Sequence, residues 1–282
     1  MKWTAGNRDN VEDVRSRTGG GMRLGGLGIG GLLLMLILSW ATGVDFLSLM
    51  GPDTISTGPS VGTGGGGELR TTPEEEKLVD FVDAVMKDAQ DMWQGTLGGR
   101  YQQTRAVIFR DAIQSACGSA QSATGPFYCP ADSLVYLDLG FFTELQQRFR
   151  APGDFAQAYV IGHEVGHHVQ NLVGASDQVR RLQERASPTD ANRLQVMMEL
   201  QADCFAGVWA NHANRVHQVL EPGDVDEGLA AAEAIGDDRL QRNAGRVVTP
   251  ESFTHGSSAQ RQYWLTLGLT TGDVQACDTF SN

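Results

Sequence analysis

The residues with the clearest chemical potential lie in one short stretch, where His163, Glu164 and His167 form the pattern H-E-x-x-H. Residues four apart on an α-helix share a face, so this spacing directs both imidazoles to one point, with the Glu164 carboxylate beside them. Neutral imidazoles are common zinc ligands, and a neighbouring carboxylate can take a proton from a water molecule that zinc activates. The pattern therefore predicts a catalytic Zn²⁺ site with Glu164 as the general base.

The residues around this motif predict the helix that the spacing requires. Asp154 is a candidate N-cap and Gly174 is a natural stop. Between them, apolar side chains supply a packing surface: Phe155, Tyr159, Ile161, Val165, Val169 and Leu172. The alternative is a buried helix that carries two histidines without a metal, but a charged Glu164 would then be costly to bury.

A catalytic zinc ion also needs a third protein ligand and an open coordination position. Glu199 and Asp203 lie four residues apart in a second predicted helix, which begins with Ser187 as N-cap and Pro188 in its first turn. Because the segment around them is largely apolar, two carboxylates on that face need partners. We expect Glu199 to be the third ligand and Asp203 to accept a hydrogen bond from a ligating imidazole, His163. The alternative is that both carboxylates are solvated.

Five segments resemble a known family in their residues and in their order. They are Gly125–Pro130, Val135–Asp138, Ala158–Gln170, Glu199–Gly207 and Thr254–Arg261. H-E-x-x-H followed by E-x-x-x-D resembles the gluzincin arrangement of zinc metallopeptidases. More closely, the chain resembles the bacterial, membrane-anchored "putative neutral zinc metallopeptidases". The expected fold class is α+β: a mainly helical zincin or minigluzincin-like domain with a small antiparallel sheet, preceded by one transmembrane helix.

His255 adds a second candidate catalytic residue. Its segment resembles one in integral-membrane zinc peptidases that process prenylated proteins, where a histidine stabilises the oxyanion, although Gly256 stands where that group has proline. A second electrophile beside zinc would stabilise charge on a tetrahedral intermediate. The alternative is a surface histidine before a helix that Ser257 caps.

The strand predicted at Leu134–Leu137 has two interpretations. It is either an edge strand that pairs with an extended substrate, as in gluzincin-like folds, or an ordinary interior strand, and its residue pattern fits both.

The N-terminal quarter of the chain predicts a membrane anchor. Residues 24–44 are 21 residues without a charge, about the length of a transmembrane helix. Basic residues before this span predict a cytoplasmic segment, 1–23, and an exterior domain, 72–282, after a flexible Gly/Ser/Thr-rich linker, 45–71. We therefore expect a single-pass protein of the cytoplasmic (inner) membrane, with its N-terminus inside and its catalytic domain periplasmic or extracellular. The alternative is a cleaved signal peptide.

The net charge limits the possible binding partners, and the cysteine content indicates the cellular compartment. A net charge of −12 makes nucleic acid an unsuitable partner. The even number of cysteines in an exported domain predicts two disulfides. Three pairings are open: Cys117 with Cys129 is the local choice, which leaves Cys204 with Cys277.

These observations together predict a zinc endopeptidase that hydrolyses a peptide or protein substrate. Zn²⁺ would be held by His163, His167 and Glu199, with Glu164 as the base and His255 at the oxyanion. Two alternatives remain: a catalytically silent, zinc-stabilised envelope scaffold or binding module, and a zinc amidase acting on cell-wall peptides.

Overall fold

The computed structural model describes residues 1–16, 71–121 and 124–281. Of the two units into which the chain divides, the first contains residues 1–15 and 70–282. The predicted anchor at 24–44 and linker at 45–71 lie outside the described residues, apart from residue 71. Within the described ranges, no helix combines the length and the apolar character that a membrane span requires.

The first unit is mainly helical, with small sheets, which confirms the α+β class. Its helices are α1 (Pro73–Leu97), α2 (Gly140–Gln147), α3 (Asp154–Leu172), α4 (Ala175–Gln183), α5 (Pro188–His217), α6 (Asp224–Ala234), α7 (Asp237–Asn243) and α8 (Ser258–Thr271). Its strands are β1 (Val11–Asp13), β2 (Ala106–Phe109), β3 (Ala112–Ser115), β4 (Gly118–Gln121), β5 (Phe127–Cys129) and β6 (Leu134–Asp138).

The main sheet differs from the expected antiparallel one. Its four strands have the order β1-β2-β6-β5; β1, β2 and β6 are parallel, and only β5 runs antiparallel, against β6. The strands β3 and β4 form a separate antiparallel hairpin. Short β-like runs carry no sign of strand direction. In the chain, α1 lies between β1 and β2, and a parallel pair needs such a long connection because a short hairpin joins only antiparallel strands.

Helix starts follow the capping chemistry predicted for Ser187 and Ser257, but not that predicted for Asp154. Thr72 and Glu75 form a capping box at α1, and the hydroxyl of Ser187 accepts the N–H of Asp190 at α5. The prediction for Asp154 was wrong: it is the first residue of α3, and the N-cap position is Gly153. Gly153 has φ 114°, a conformation that favours glycine, so the turn into the helix required glycine one residue earlier.

The N-terminal residues differ from the expected organisation, in which residues 1–23 are separate from the domain at 72–282. Strand β1 pairs with β2 at the edge of the main sheet, and Trp3 packs edge-to-face on Phe81 of α1. Residues 1–15 are therefore part of the folded domain.

The core lies between α1, the central strands, α3 and α5. Side chains from each are fully buried in one cluster, among them Trp93, Ile108, Leu137, Ile161 and Trp209. Each such side chain contributes about 1.5–3 kcal/mol when it leaves water. This cluster fixes the helix that carries H-E-x-x-H against the helix that carries E-x-x-x-D.

Candidate metal centre and active-site cleft

The structure brings the two motif histidines together on one face of α3. His163 and His167 have ring centroids 4.7 Å apart, and His163 is nearly buried. The helix is continuous through this region, so the four-residue spacing is converted directly into adjacent imidazoles.

Glu199 reaches the same point from α5. Its carboxylate oxygens lie 3.3 Å from Nε2 of His163 and 3.6 Å from Nε2 of His167. The two helices approach closely because α3 presents glycines: a Cβ on Gly166 would lie 3.1 Å from Cα of Ala202. The predicted trio therefore meets in space, with one potential ligand atom from each residue within 4.8 Å of the others.

The chemistry of these donors fits a zinc ion. The trio offers two imidazole nitrogens and a carboxylate oxygen, which is a known catalytic zinc set. In addition, the Nδ1 atoms of both histidines already have acceptors: Oδ1 of Asp203 for His163 and Oε1 of Gln170 for His167, each at 2.8 Å. With Nδ1 as the donor in each ring, Nε2 is the nitrogen that faces Glu199 and would provide its lone pair to a metal on loss of its proton.

Asp203 lies at the centre of a buried polar network behind His163. Besides His163, it accepts hydrogen bonds from the hydroxyl of Tyr159 at 2.6 Å and from Nε and Nη2 of Arg261, both at 2.8 Å. Burial opposes ionisation of Asp203, but the charges of Arg261 and His163 outweigh it and lower its pKa to about 2. The carboxylate that orients His163 is therefore ionised.

Buried opposite charges shift the pKa values of His163 and Glu199, two of the three candidate metal ligands. Burial opposes protonation of His163, but Asp203 and Glu199 raise its pKa to about 10. Burial likewise disfavours the charged form of Glu199, yet the charge of His167 and hydrogen bonds with both histidines hold its pKa well below the usual range. The Nε2 amide of Gln195 also donates to Glu199 at 2.9 Å. Without a metal, these two carboxylates hold a proton on His163; a bound metal cation would take the place of that proton.

Glu164 lies beside the trio and faces the cleft. It is 6% exposed, and across the described ranges no donor lies within hydrogen-bond distance of its carboxylate. A carboxylate that is not held by the protein can accept a proton from a bound reactant. This position fits the predicted role of general base.

His255 lies on the rim of the same cleft and is about half exposed. Its loop is fixed by Asp237, whose Oδ2 accepts the backbone N–H groups of Thr254, His255 and Gly256 at 2.7, 2.6 and 3.1 Å. The Nδ1 atom of His255 lies 3.3 Å from Oδ1 of the same carboxylate. The structure therefore places His255 at the cleft with an orienting carboxylate.

The cleft in front of these residues has a volume of about 630 Å³. Its wall includes residues 124–128, which lead into and form β5. Among the described strands, β5 is the outer one on this side of the sheet, and β6 lies between β5 and β2. Of the two interpretations of Leu134–Leu137, the interior one is therefore correct, and β5 is the edge strand at the cleft.

His168, the third histidine of the motif region, lies apart from the trio. It is fully buried, with Nε2 2.6 Å from the carbonyl oxygen of Gln102 and Nδ1 3.0 Å from the hydroxyl of Tyr128. Burial lowers its pKa, which keeps the ring neutral. Since Tyr128 belongs to β5, His168 connects α3 to the edge strand.

Sequence reasoning missed four residues that support the site: Tyr159, Gln170, Asp237 and Arg261. The sequence around two of these residues could have indicated their role. Gln170 and Arg261 are polar residues at positions of largely apolar helices that turn out to be buried, and each therefore needed a partner. Asp237 carried no such signal, because acidic residues are common in a first helical turn.

Both predicted disulfides are present, Cys117–Cys129 and Cys204–Cys277. The first connects the tip of the β3–β4 hairpin to the last residue of β5. The second connects α5, next to Asp203, to the C-terminal segment. Each bond therefore supports an element of the site.

Comparisons with known proteins agree with this geometry. The sequence profile of the family described as "putative neutral zinc metallopeptidase" matches residues 1–280. The "Uncharacterized protein YpfJ" of Escherichia coli K12 is 44% identical over 292 residues, covering 99% of each chain. The "Uncharacterized protein Rv2575" of Mycobacterium tuberculosis H37Rv is 41% identical over 225 residues, covering 76% of this chain and 75% of its own.

No solved structure gave a significant match. The profile nevertheless spans nearly the whole chain, including H-E-x-x-H, E-x-x-x-D and the segment around His255. The chain belongs to the "putative neutral zinc metallopeptidase" family.

Proposed function

We propose that this protein is a zinc endopeptidase. The observation that carries the proposal is the position of Glu164, a carboxylate that no described donor holds, beside the trio of His163, His167 and Glu199 and open to a cleft. A purely structural zinc site has four protein ligands and no use for a free carboxylate.

His163, His167 and Glu199 would hold the ion, and Asp203 and Gln170 would keep both imidazoles in the ligating tautomer. When bound, Zn²⁺ supplies Lewis acidity and lowers the pKa of a coordinated water to about 7. The carboxylate of Glu164 accepts the proton of the attacking water and later transfers it to the leaving amine.

His255 is suited to stabilise the oxyanion. Its ring is about half exposed at the cleft, so it can donate to a substrate oxygen while Asp237 restrains its other side. Asp237 itself does not face the reactants; it is a positioning residue that fixes the loop.

The substrate would bind in extended form along β5. The exposed edge of an outer strand offers backbone donors and acceptors, which give affinity without a strict sequence requirement. Two aromatic residues of this strand, Phe127 and Tyr128, line the cleft. A cleft of this form suits an unfolded or flexible segment of a protein, which is why we propose endopeptidase activity.

We further propose that the domain acts outside the cytoplasm, at the outer face of the cytoplasmic membrane. Two disulfides support an oxidising compartment, because such bonds are rare in reducing cytosol.

The test is hydrolysis of a fluorescently quenched unfolded protein by Glu164→Gln and by the matched control Glu184→Gln, an exposed position. We expect Glu164→Gln to retain zinc, measured by mass spectrometry, and to lose about 10²–10⁴-fold in rate. Glu184→Gln should match wild type. Undiminished hydrolysis by Glu164→Gln would refute its role as base.

The same assay separates the two alternatives. A silent scaffold would bind zinc but show no hydrolysis that a chelator blocks. An amidase would leave the unfolded protein intact and cleave purified cell-wall peptides instead.

A further inference from the structure

Residues 1–15, which we call the N-terminal segment, belong to the folded domain, and their strand β1 pairs in its main sheet. Besides the β1–β2 pairing, the N–H of Val14 donates to the carbonyl of Ile108 at 2.9 Å, and the N–H of Ala106 donates to that of Asn10 at 2.8 Å. These backbone bonds bracket the strand at both ends. The segment is thus an edge strand of the domain.

A buried carboxylate on α1 depends on this segment. Asp83 is fully buried, and it accepts hydrogen bonds from the backbone N–H groups of Arg8 and Asn10 and from the side-chain amide of Asn10. The nearly buried Gln90 donates to Asn10 in turn. All these partners of Asp83 come from the N-terminal segment, so removing the segment would leave a buried charge unpaired.

The end of the segment lies close to the start of α1. The side chain of Arg15 is fully buried and contacts Asp13 at 2.7 Å and Glu76 at 2.8 Å. Arg8 contacts Glu76 as well, also at 2.7 Å. Glu76 is in the first turn of α1, four residues after its N-cap, Thr72. The end of the N-terminal segment and the first turn of α1 are therefore joined by side-chain contacts.

This geometry restricts how the intervening sequence can meet a membrane. A chain that leaves and rejoins one domain crosses a membrane an even number of times, zero included. Residues 24–44 provide 21 uncharged residues, enough for one crossing, whereas two need about 40 residues. A single crossing at this run is incompatible with the docked N-terminal segment.

We infer that residues 1–15 and the zinc domain lie on the same side of the membrane. This inference contradicts the expected single-pass orientation, in which the N-terminus is inside and the domain is outside. If the domain is exterior, the N-terminal segment is exterior with it. The inference concerns topology and does not depend on the proposed hydrolysis.

The test is labelling of the full chain with a membrane-impermeant maleimide in right-side-out vesicles. One variant carries Ala5→Cys in the N-terminal segment, and the other carries Gln178→Cys on α4; both positions are exposed. Wild type measures the background, because its four cysteines are in disulfides. Labelling after detergent gives the full signal for each variant.

We expect the two variants to react to the same extent in intact vesicles, either both near the detergent level or both near background. Labelling of one position with protection of the other would show a single crossing and overturn the inference.

A second measurement tests the docking in the membrane-bound protein. Trp3 and Phe81 have ring centroids 5.4 Å apart, so benzoylphenylalanine at position 3 should cross-link to the α1 peptide that contains Phe81. The same photoreactive group at position 178 serves as the control for non-specific capture. Absence of the position 3 cross-link in disulfide-intact protein would show that the segment is undocked and would also overturn the inference.

Discussion

Nδ1 of His163 lies 2.8 Å from Oδ1 of Asp203, and this carboxylate is held in turn by Arg261 through two hydrogen bonds of 2.8 Å. The ligating face of His163 is thus fixed from behind by a buried ion pair. Because the ring cannot rotate without breaking this contact, the orientation of His163 toward the candidate metal site is set by the protein itself.

Asp203→Asn should weaken zinc binding by about 10–100-fold, since the amide is a weaker acceptor for Nδ1 of His163 and leaves Arg261 without a counter-charge. Competition with a fluorescent chelator measures the affinity. Asp226→Asn, at an exposed position of α6, is the matched control. Equal zinc affinity in both variants would show that the contact is not needed for metal binding.

Gln170→Met should also weaken zinc binding, by about 10-fold. Its Oε1 accepts from Nδ1 of His167, and methionine has similar volume but cannot replace that bond. Gln178→Met on the exposed face of α4 is the control. To separate orientation from stability, urea unfolding is measured with the metal removed. A loss of affinity that is fully matched by a loss of stability would contradict an orienting role.

His255→Ala should lower kcat by about 10²–10³-fold with zinc content unchanged, because it removes one stabiliser of the oxyanion. Asp237→Asn should give a smaller loss, since it loosens the loop without removing the imidazole. His212→Ala, which lies outside the cleft, serves as the control. Wild-type kcat in His255→Ala would exclude the proposed role.

Gly268→Ala should destabilise the fold by about 3 kcal/mol or more. A Cβ at Gly268 would lie 2.0 Å from the carbonyl oxygen of Cys204, so α8 and α5 would have to separate. Gly95→Ala is the control: it also lies within a helix, but a Cβ there meets nothing within 4 Å, and it should stabilise by about 0.5–1 kcal/mol. Urea unfolding of both variants measures the difference, and similar midpoints would contradict the tight crossing.

Local sequence patterns anticipated the parts of the site that lie within one or two turns of helix. The spacing of His163 and His167, and that of Glu199 and Asp203, needs only a regular α-helix to place each pair on one face. The cap at Ser257 is equally local, since its capping box joins residues three apart.

Local sequence patterns could not predict the order of the strands or the presence of the N-terminal strand β1. Leu134–Asp138 has the same residue pattern whether it is an interior or an edge strand, and only the pairing partners decide. A three-residue strand such as Val11–Asp13 has no periodicity of its own, and it forms because β2 and Asp83 offer it partners.

The sequence alone therefore predicted the trio His163, His167 and Glu199, the candidate base and the helices that carry them, because these depend on interactions between near neighbours in the chain. Tertiary structure decided which residues orient the ligands, which strand borders the cleft and where the N-terminal segment binds. Arg261 and Asp203 are 58 residues apart, and Asn10 and Asp83 are 73 apart. Contacts at such separations arise only when packing of the whole core brings distant helices and strands together.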